Sequence, residues 1–237
     1  MKKLPQAVLF DHDGVLVNSE PIHVAAWGEL LKEIDIPFNE PEIRAHVGRT
    51  APEILEALLD LHRPGWDKAQ YDVKDLSVRK NDFYLAKIKA QLKLFGGVQE
   101  GLGWLKSKRI KIAVVSNARN RELTSALRVL GILSLFDCVC SREETGKAKP
   151  DPTPYLYAAA AVGVDPKNCL AVEDSPPGLE AALMAKIPAA AVLTTFQRDA
   201  LEAPVLGRPD LQPTWIGGSM HELFTWMKTL APNPPRL

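Results

Sequence analysis

The sequence predicts an α/β protein in which a doubly wound parallel sheet forms the core and an all-helical domain is inserted into it. Two observations carry this prediction. Short, uniformly apolar runs recur along the chain, as is typical of parallel strands covered on both faces. A long stretch after the first run contains several helical patterns and no good strand, which indicates an inserted helical unit.

Five apolar runs are the predicted strands: residues 7–10, 110–115, 138–140, 169–172 and 189–193. Helical patterns separate the later strands, at residues 121–131, 154–162 and 178–186. An alternation of strand and helix at this spacing indicates a doubly wound sheet.

The inserted unit is predicted to span residues 18–94, with the core formed by residues 1–17 and 95–237. One helix begins near Ser19, and two more are predicted over "APEILEALLDL" and "KDLSVRKNDFYLAKIKAQL". Gly96 and Gly97 mark the return of the chain to the sheet.

Composition narrows the class of partner. The chain has 237 residues, of which 46% are hydrophobic and 24% charged, as in ordinary globular proteins. Lys+Arg and Asp+Glu both total 29, so the chain lacks the positive excess of a nucleic-acid binder. The three cysteines form no zinc-type pairs, and no apolar segment is long enough for a bilayer. These features predict a cytoplasmic protein that binds a small molecule, and neither nucleic acid nor membrane.

Polar side chains follow the predicted strands where ligands bind in an open parallel sheet, outside the carboxyl ends. The residues in these positions are Asp11, Asp13, Ser116, Asn117, Lys147, Lys149, Glu173, Asp174 and Ser175. Carboxylates, a hydroxyl and an ammonium group are therefore expected to converge on one edge of the sheet.

This set has a coherent chemistry. Oxygen ligands from Asp11 and Asp174, helped by Glu173 and a backbone carbonyl, suit an octahedral Mg²⁺. With the metal balancing charge, Asp11 could attack a phosphate and form an aspartyl-phosphate. Asp13 could protonate the leaving oxygen, and Ser116 with nearby amides could hold phosphate oxygens.

Each of these motifs and residues, taken alone, also has a simpler structural interpretation. "DHDG" could be a turn, although an EF-hand loop fails because its twelfth position is Ile22. Ser116 could be a helix N-cap, and Lys149 a solvated loop lysine. The coincidence of all these residues at successive strand ends favours the chemical reading. His12 lies between the acids, and strand alternation predicts that it points away from both.

Four motifs appear in order along the chain: "FDHDGVLVNSE", "VVSN", "KPDP" and "VEDSPPG". Together they resemble the haloacid dehalogenase superfamily of phosphotransferases, with a Rossmann-like core and a helical cap. The resemblance implies that Asp11 is the nucleophile and Asp13 the general acid/base, whose carbonyl also binds Mg²⁺. It further implies phosphate binding by Ser116 with Asn117, charge neutralisation by Lys149 rather than Lys147, and metal binding by Asp174 with Glu173.

Within that superfamily the cap resembles the β-phosphoglucomutase branch. "PIHVAAW" places His23 at the position of a cap-hinge histidine, "VGRT" puts Arg49 where mutases hold a distal phosphate, and "VRKNDFY" contains Lys80. "SNARN" offers Arg119 and Asn120 as further substrate contacts. His23 could equally be a helix histidine and Arg49 a surface residue.

The resemblance implies a monomeric, Mg²⁺-dependent phosphatase of a small phosphorylated metabolite, a sugar phosphate, that works through an aspartyl-phosphate. β-Phosphoglucomutase is the alternative, although Asn117 and the absence of a threonine from "LVNSE" depart from its usual pattern. A non-catalytic binding module is a remote third reading. Dehalogenation is disfavoured because it needs neither the second acid nor a metal.

Overall fold

A single parallel sheet organises the fold. The computed structural model describes Met1, residues 3–202 and residues 211–231, and six strands in this part of the chain form the sheet. They are β1 (Ala7–Phe10), β2 (Lys111–Val115), β3 (Cys138–Cys140), β4 (Cys169–Glu173), β5 (Ala189–Val192) and β6 (Trp215–Gly217). Their order is β3-β2-β1-β4-β5-β6, and every neighbouring pair is parallel. The predicted fold class is confirmed.

Helices connect the strands and build the insertion. They are α1 (Glu20–Glu33), α2 (Glu40–Arg44), α3 (Ala51–His62), α4 (Val73–Gln91), α5 (Val98–Ser107), α6 (Asn120–Val129), α7 (Arg142–Thr145), α8 (Thr153–Ala161), α9 (Pro176–Met184), α10 (Arg198–Glu202) and α11 (Met220–Thr229). Strands β1 to β5 and helices α1, α3, α4, α6, α8 and α9 lie within a few residues of the positions predicted from the sequence. The elements that were not predicted are β6, α2, α5, α7, α10 and α11. Among the described residues, no helix combines the length and apolar character required to cross a membrane.

The sheet separates two hydrophobic clusters, which is why its strands are apolar on both faces. On β1, Val8 and Phe10 join a cluster that includes α5, α6 and α11. Ala7 and Leu9 alternate to the other face, where α8 and α9 cover them. Burial of each large side chain such as Phe10 contributes about 1.5–3 kcal/mol, so these clusters fix the strand ends that carry the polar residues.

The helices α1 to α4 form a third cluster, which includes Trp27, Leu30 and Leu55. The opposite faces of α1 and α4 pack on the main core through residues such as Ile22 and Tyr84. We keep residues 18–94 as the proposed limits of this helical cap.

The topology provides a crevice between β1 and β4. The strand that follows β1 in the chain is β2, on one side of β1, whereas β4 lies on the other. Such a switch point opens a crevice outside the carboxyl ends of the strands. Phe10 pairs with Val172, and this register places Asp11 beside the residues that end β4.

Candidate active site

The segment after β1 turns sharply at Gly14. Asp11 continues the ladder through its amide, which donates to the Val172 carbonyl at 2.9 Å. Gly14 then adopts φ +81°, and a Cβ there would lie 1.8 Å from Asp174 Oδ2. Glycine is required at this position by the backbone conformation and by the close approach of the Asp174 carboxylate.

Lys149 is buried at the centre of the acidic groups. Its Nζ donates to Asp11 Oδ1 at 2.5 Å, to Glu173 Oε1 at 2.6 Å and to the Val115 carbonyl at 2.9 Å. Tyr155 donates its hydroxyl to the same Glu173 oxygen at 2.6 Å. The rival lysine, Lys147, is exposed. The structure therefore brings Lys149, and not Lys147, to the predicted nucleophile.

Three buried carboxylates surround this one ammonium group. Asp11, Glu173 and Asp174 are 8%, 0% and 3% exposed, and each offers an oxygen within 4.8 Å of the others. Burial raises the pKa of Asp11 to about 7, although Lys149 opposes the shift. Burial, followed by Asp11 and Glu173, raises the pKa of Asp174 well above its usual value. The excess of negative charge and the hard oxygen donors fit a divalent cation such as Mg²⁺.

Of these three carboxylates, Glu173 accepts the most hydrogen bonds from other groups of the described protein. Besides Lys149 and Tyr155, its second oxygen accepts from the Ser175 hydroxyl at 3.2 Å and the Asp174 amide at 3.3 Å. Asp11 and Asp174 line the cavity, whereas Glu173 is fully buried and does not. These contacts suit Glu173 to orienting Lys149.

Asp13 faces the cap rather than the acidic cluster. Its Oδ1 accepts from the Ser19 hydroxyl and lies 3.5 Å from His23 Nε2. Lys80 Nζ in turn lies 2.8 Å from His23 Nδ1, and the His23 ring stacks on Tyr84 at 4.2 Å. A protonated Lys80 that donates to Nδ1 fixes the tautomer in which Nε2–H points at Asp13.

Burial and neighbouring charges set the pKa values of the three groups in this series of contacts, Lys80, His23 and Asp13. Burial, followed by Lys80, lowers the pKa of His23, and burial lowers the pKa of Lys80 to about 8. Burial alone would raise the pKa of Asp13, but His12 and then His23 overcome it and hold the pKa well below its usual range. Asp13 is therefore ionised in the absence of a bound ligand.

The orientation predicted for His12 is wrong with respect to Asp13. His12 Nδ1 lies 3.1 Å from Asp13 Oδ1, although neither ring nitrogen makes a well-directed hydrogen bond. Strand alternation does not apply because β1 ends at Phe10. The chain turns there, and the Leu16 amide donates to the His12 carbonyl at 2.9 Å.

Ser116 and Asn117 follow β2 at the edge of the same crevice. The Ser116 Oγ accepts from the Ala118 amide at 3.0 Å, and both side chains border the cavity. Asn117 is engaged with the Lys149 backbone, where its Oδ1 accepts from the amide at 2.8 Å.

A cavity of about 580 Å³ lies between the strand ends and the cap. The predicted residues that line it are Asp11, Asp13, His23, Arg49, Lys80, Ser116, Asn117, Arg119, Lys149 and Asp174. Asn120 is not among them, and its side-chain amide donates to Glu144 instead. The proposed substrate contact of Asn120 is therefore not supported, because this residue begins α6 and turns toward α7.

The two predicted arginines differ in their partners. Arg119 Nε is paired with Glu143 at 3.1 Å. Within the described part of the chain, the Arg49 guanidinium makes no hydrogen bond or ion pair. Arg49 is thus a cation at the cavity whose charge is available to a ligand.

Other residues of the cavity were missed. Arg142 and Thr195 line it, and Ser77 lies in its wall with a buried hydroxyl that has no hydrogen-bond partner among the described residues. Helical periodicity places Ser77 on the same face of α4 as Lys80, and this was the signal available for it. Arg142 and Thr195 follow β3 and β5, so the strand-end rule that selected Ser116 could have found them.

Comparison with known proteins gives a consistent result. The family described as haloacid dehalogenase-like hydrolase matches residues 5–186. Validoxylamine A 7'-phosphate phosphatase from Streptomyces hygroscopicus subsp. limoneus is 31% identical over 211 residues, which cover 89% of this chain and 96% of that protein. Beta-phosphoglucomutase from Bacillus subtilis (strain 168) is 33% identical over 179 residues, 74% of this chain and 78% of that protein.

Solved structures share the fold. The crystal structure of beta-phosphoglucomutase from Clostridium difficile matches with a TM-score of 0.79 and 23% identity, covering 96% of this chain and 97% of that one. At this identity the likeness concerns the fold, including the sheet and the helical insertion.

Proposed function

The chain belongs to the haloacid dehalogenase-like hydrolases and is an enzyme of phosphoryl transfer, and on this premise we propose a specific reaction for it. The protein is a Mg²⁺-dependent phosphatase of a small phosphorylated metabolite, a sugar phosphate, and it works through an aspartyl-phosphate. The observation that carries this proposal is the Asp11 carboxylate, which lines the cavity while Lys149 holds it at 2.5 Å. The family match and the relatives indicate an enzyme, which argues against a non-catalytic binding module.

In the first step, an Asp11 oxygen forms a bond to phosphorus as the bond from phosphorus to the ester oxygen breaks. Ser116 and the neighbouring backbone amides hold the phosphate oxygens, and the Lys149 ammonium offsets their charge. A proton from Asp13 passes to the leaving oxygen, which departs as a hydroxyl group. An incoming dianionic phosphate raises the pKa of Asp13 and so favours the protonated form that this step needs.

In the second step, Asp13 accepts a proton from water as the water oxygen bonds to phosphorus. The bond between phosphorus and Asp11 then breaks, which releases inorganic phosphate and restores the carboxylate. The cap supports the exchange by excluding bulk water from the cavity.

The residues that would hold the metal are Asp11 and Asp174, with the Asp13 carbonyl and with Glu173 behind them. When bound, Mg²⁺ neutralises carboxylate charge and polarises the phosphoryl oxygens. The three buried carboxylates exceed the single Lys149 charge, and this imbalance supports the metal assignment.

The cavity supports a substrate with a sizeable leaving group. Its volume, about 580 Å³, falls in the range of small-molecule sites. The wall carries the apolar side chains of Val24, Trp27 and Ile54, and Arg49 provides a charge from the cap. A sugar ring with a further polar or anionic substituent fits this distribution, and the similar protein from Streptomyces is named as a phosphatase of validoxylamine A 7'-phosphate.

Replacing Arg49 by alanine is expected to lower kcat/KM for a sugar bisphosphate by about 10- to 100-fold, because a charged hydrogen bond is lost. An aryl phosphate, which has no distal anion, should lose less than about threefold. Steady-state kinetics on both substrates measure the difference, and Arg128→Ala on the outer surface of α6 serves as the control. Equal losses on the two substrates would remove Arg49 from distal recognition.

The second candidate function is β-phosphoglucomutase. The observation that favours it is the contact chain from Lys80 through His23 to Asp13, which links the cap to the proposed acid/base. Such a link could favour return of the phosphoryl group to a sugar hydroxyl rather than to water.

The deciding experiment supplies β-glucose 1-phosphate with catalytic glucose 1,6-bisphosphate and Mg²⁺. The phosphatase proposal expects free phosphate, and that release should stop with EDTA and return with added Mg²⁺. Formation of glucose 6-phosphate without phosphate release would establish the mutase instead. Failure to act on any member of a phosphate-ester panel would contradict both. The monomeric state and the cytoplasmic location stay predictions.

A further inference from the structure

Asn117 makes three side-chain hydrogen bonds that join two loops. Its Nδ2 donates at 3.3 Å to the carbonyls of Gly48 and Lys149. Its Oδ1 accepts from the Lys149 amide at 2.8 Å. Gly48 belongs to the cap, whereas Lys149 is the core lysine that contacts Asp11.

The cap segment at residues 47–50, here called the cap loop, is docked on the core at this point. Gly48 has φ +92°, and a Cβ there would lie 3.1 Å from Pro177 Cγ, so the loop approaches the start of α9 closely. Arg49 and Val47 from the same loop line the cavity. The bond from Asn117 to Gly48 is therefore adjacent to the residue proposed for distal recognition.

A primary amide has two N–H donors and one acceptor oxygen. In Asn117, the two donors face two carbonyls and the oxygen faces an amide, so no donor is left for a phosphate oxygen. The arrangement disagrees with the predicted role of Asn117 in phosphate binding.

We propose that Asn117 is a positioning residue whose side chain fixes the docked cap loop and the Lys149 backbone relative to each other and does not itself bind the transferred phosphate. The inference rests on the proposed function for its catalytic consequence. One side chain then sets both the position of Arg49 over the cavity and the position of Lys149 under the nucleophile.

Two variants of Asn117 disturb its contacts with the cap loop and with the Lys149 backbone to different extents. Asn117→Asp keeps the acceptor for the Lys149 amide but sets a carboxylate oxygen against the carbonyls of Gly48 and Lys149. It should raise KM for a sugar bisphosphate about tenfold, and because the bond to the Lys149 amide is kept, its loss of kcat on an aryl phosphate should be smaller than that of Asn117→Ala. Asn117→Ala removes the contacts with both the cap loop and the Lys149 backbone, and it should also lower kcat for the aryl phosphate. Asn168→Ala, at the amino end of β4 and remote from the cavity, is the control and should behave as wild type.

Coupling to the cap loop gives the sharper test. In an Arg49→Ala background, Asn117→Asp should add no further rise in KM for the sugar bisphosphate, because the Arg49 contact is already gone. Inhibition by inorganic phosphate should stay within about threefold of wild type in Asn117→Ala. A tenfold weaker inhibition, or full additivity with Arg49→Ala, would overturn the proposal and return Asn117 to the phosphate site.

A readout that does not need turnover distinguishes this inference from the proposed function. Hydrogen exchange of the amides at residues 47–50 should be faster in both Asn117 variants than in wild type and Asn168→Ala. Unchanged exchange would refute the docking role even if the enzyme proves to be a phosphatase. Faster exchange in a protein that hydrolyses no phosphate ester would sustain the docking role while the proposed function fails.

Discussion

An Asp11→Asn enzyme is expected to hydrolyse sugar phosphates at least about 1,000-fold more slowly than wild type, because an amide cannot replace the attacking carboxylate. The fold should persist, since asparagine retains an oxygen that can accept from Lys149 Nζ, which lies 2.5 Å from Asp11 Oδ1. Removing one of three buried carboxylates also relieves the cost of burying its charge and its repulsion with Glu173, two effects that, in this order, raise the pKa of Asp11. Thermal unfolding should therefore show no loss of stability.

The matched control is Asp165→Asn, the same chemical change in an exposed turn residue. Asparagine at this position can still accept from the Lys167 amide as Asp165 does at 3.0 Å. This variant should match wild type in both kcat/KM and stability. Activity of Asp11→Asn within tenfold of wild type would remove Asp11 as the nucleophile.

Lys149→Met is expected to reduce both stability and turnover. The buried ammonium bridges Asp11 and Glu173, and its loss leaves two carboxylates facing each other without a counter-charge. Breaking a buried ion pair in this way costs about 3–5 kcal/mol. Turnover should fall about 100-fold or more, since a charge near the phosphoryl group is lost. Urea unfolding and steady-state kinetics measure the two effects.

Lys147→Met provides the comparison, because Lys147 is the competing lysine of the same loop and is exposed. Its free energy of unfolding should change by less than about 0.5 kcal/mol, and its activity should be that of wild type. Similar defects in the two variants would contradict the assignment of Lys149. Added Mg²⁺ should restore little of the stability of Lys149→Met, since the Val115 carbonyl also loses its donor.

Much of the sheet was predictable because its strands are buried on both faces. The runs at β1 and β4 are apolar throughout, and all four residues of β1 are fully buried. β6 was not predicted because it consists of three half-buried residues and has no apolar run to indicate a strand. α5 was available in principle, since Val98, Leu102 and Leu105 recur at helical spacing and are all buried.

In the site, likewise, some features could be predicted from the sequence and others could not. Residues that sit directly at strand ends, such as Asp11, Ser116 and Asp174, could be predicted because topology alone brings them together. The orientation of Asn117, the burial of Lys80 and the contact of His12 with Asp13 depend on how the cap and the turn after β1 pack. Those contacts join residues far apart in the chain or lie beyond the regular strand, and local patterns do not encode them.

The proposed mechanism requires that Asp11 carry a phosphoryl group during turnover. Wild-type enzyme is quenched rapidly with acid during turnover of a sugar phosphate that is radiolabelled in its phosphoryl group. The label should remain on the peptide that contains Asp11. Hydroxylamine should release that label, as expected for an acyl phosphate, and Asp11→Asn should acquire none. Steady turnover with no label on this peptide, or label that survives hydroxylamine, would contradict catalysis through an aspartyl-phosphate.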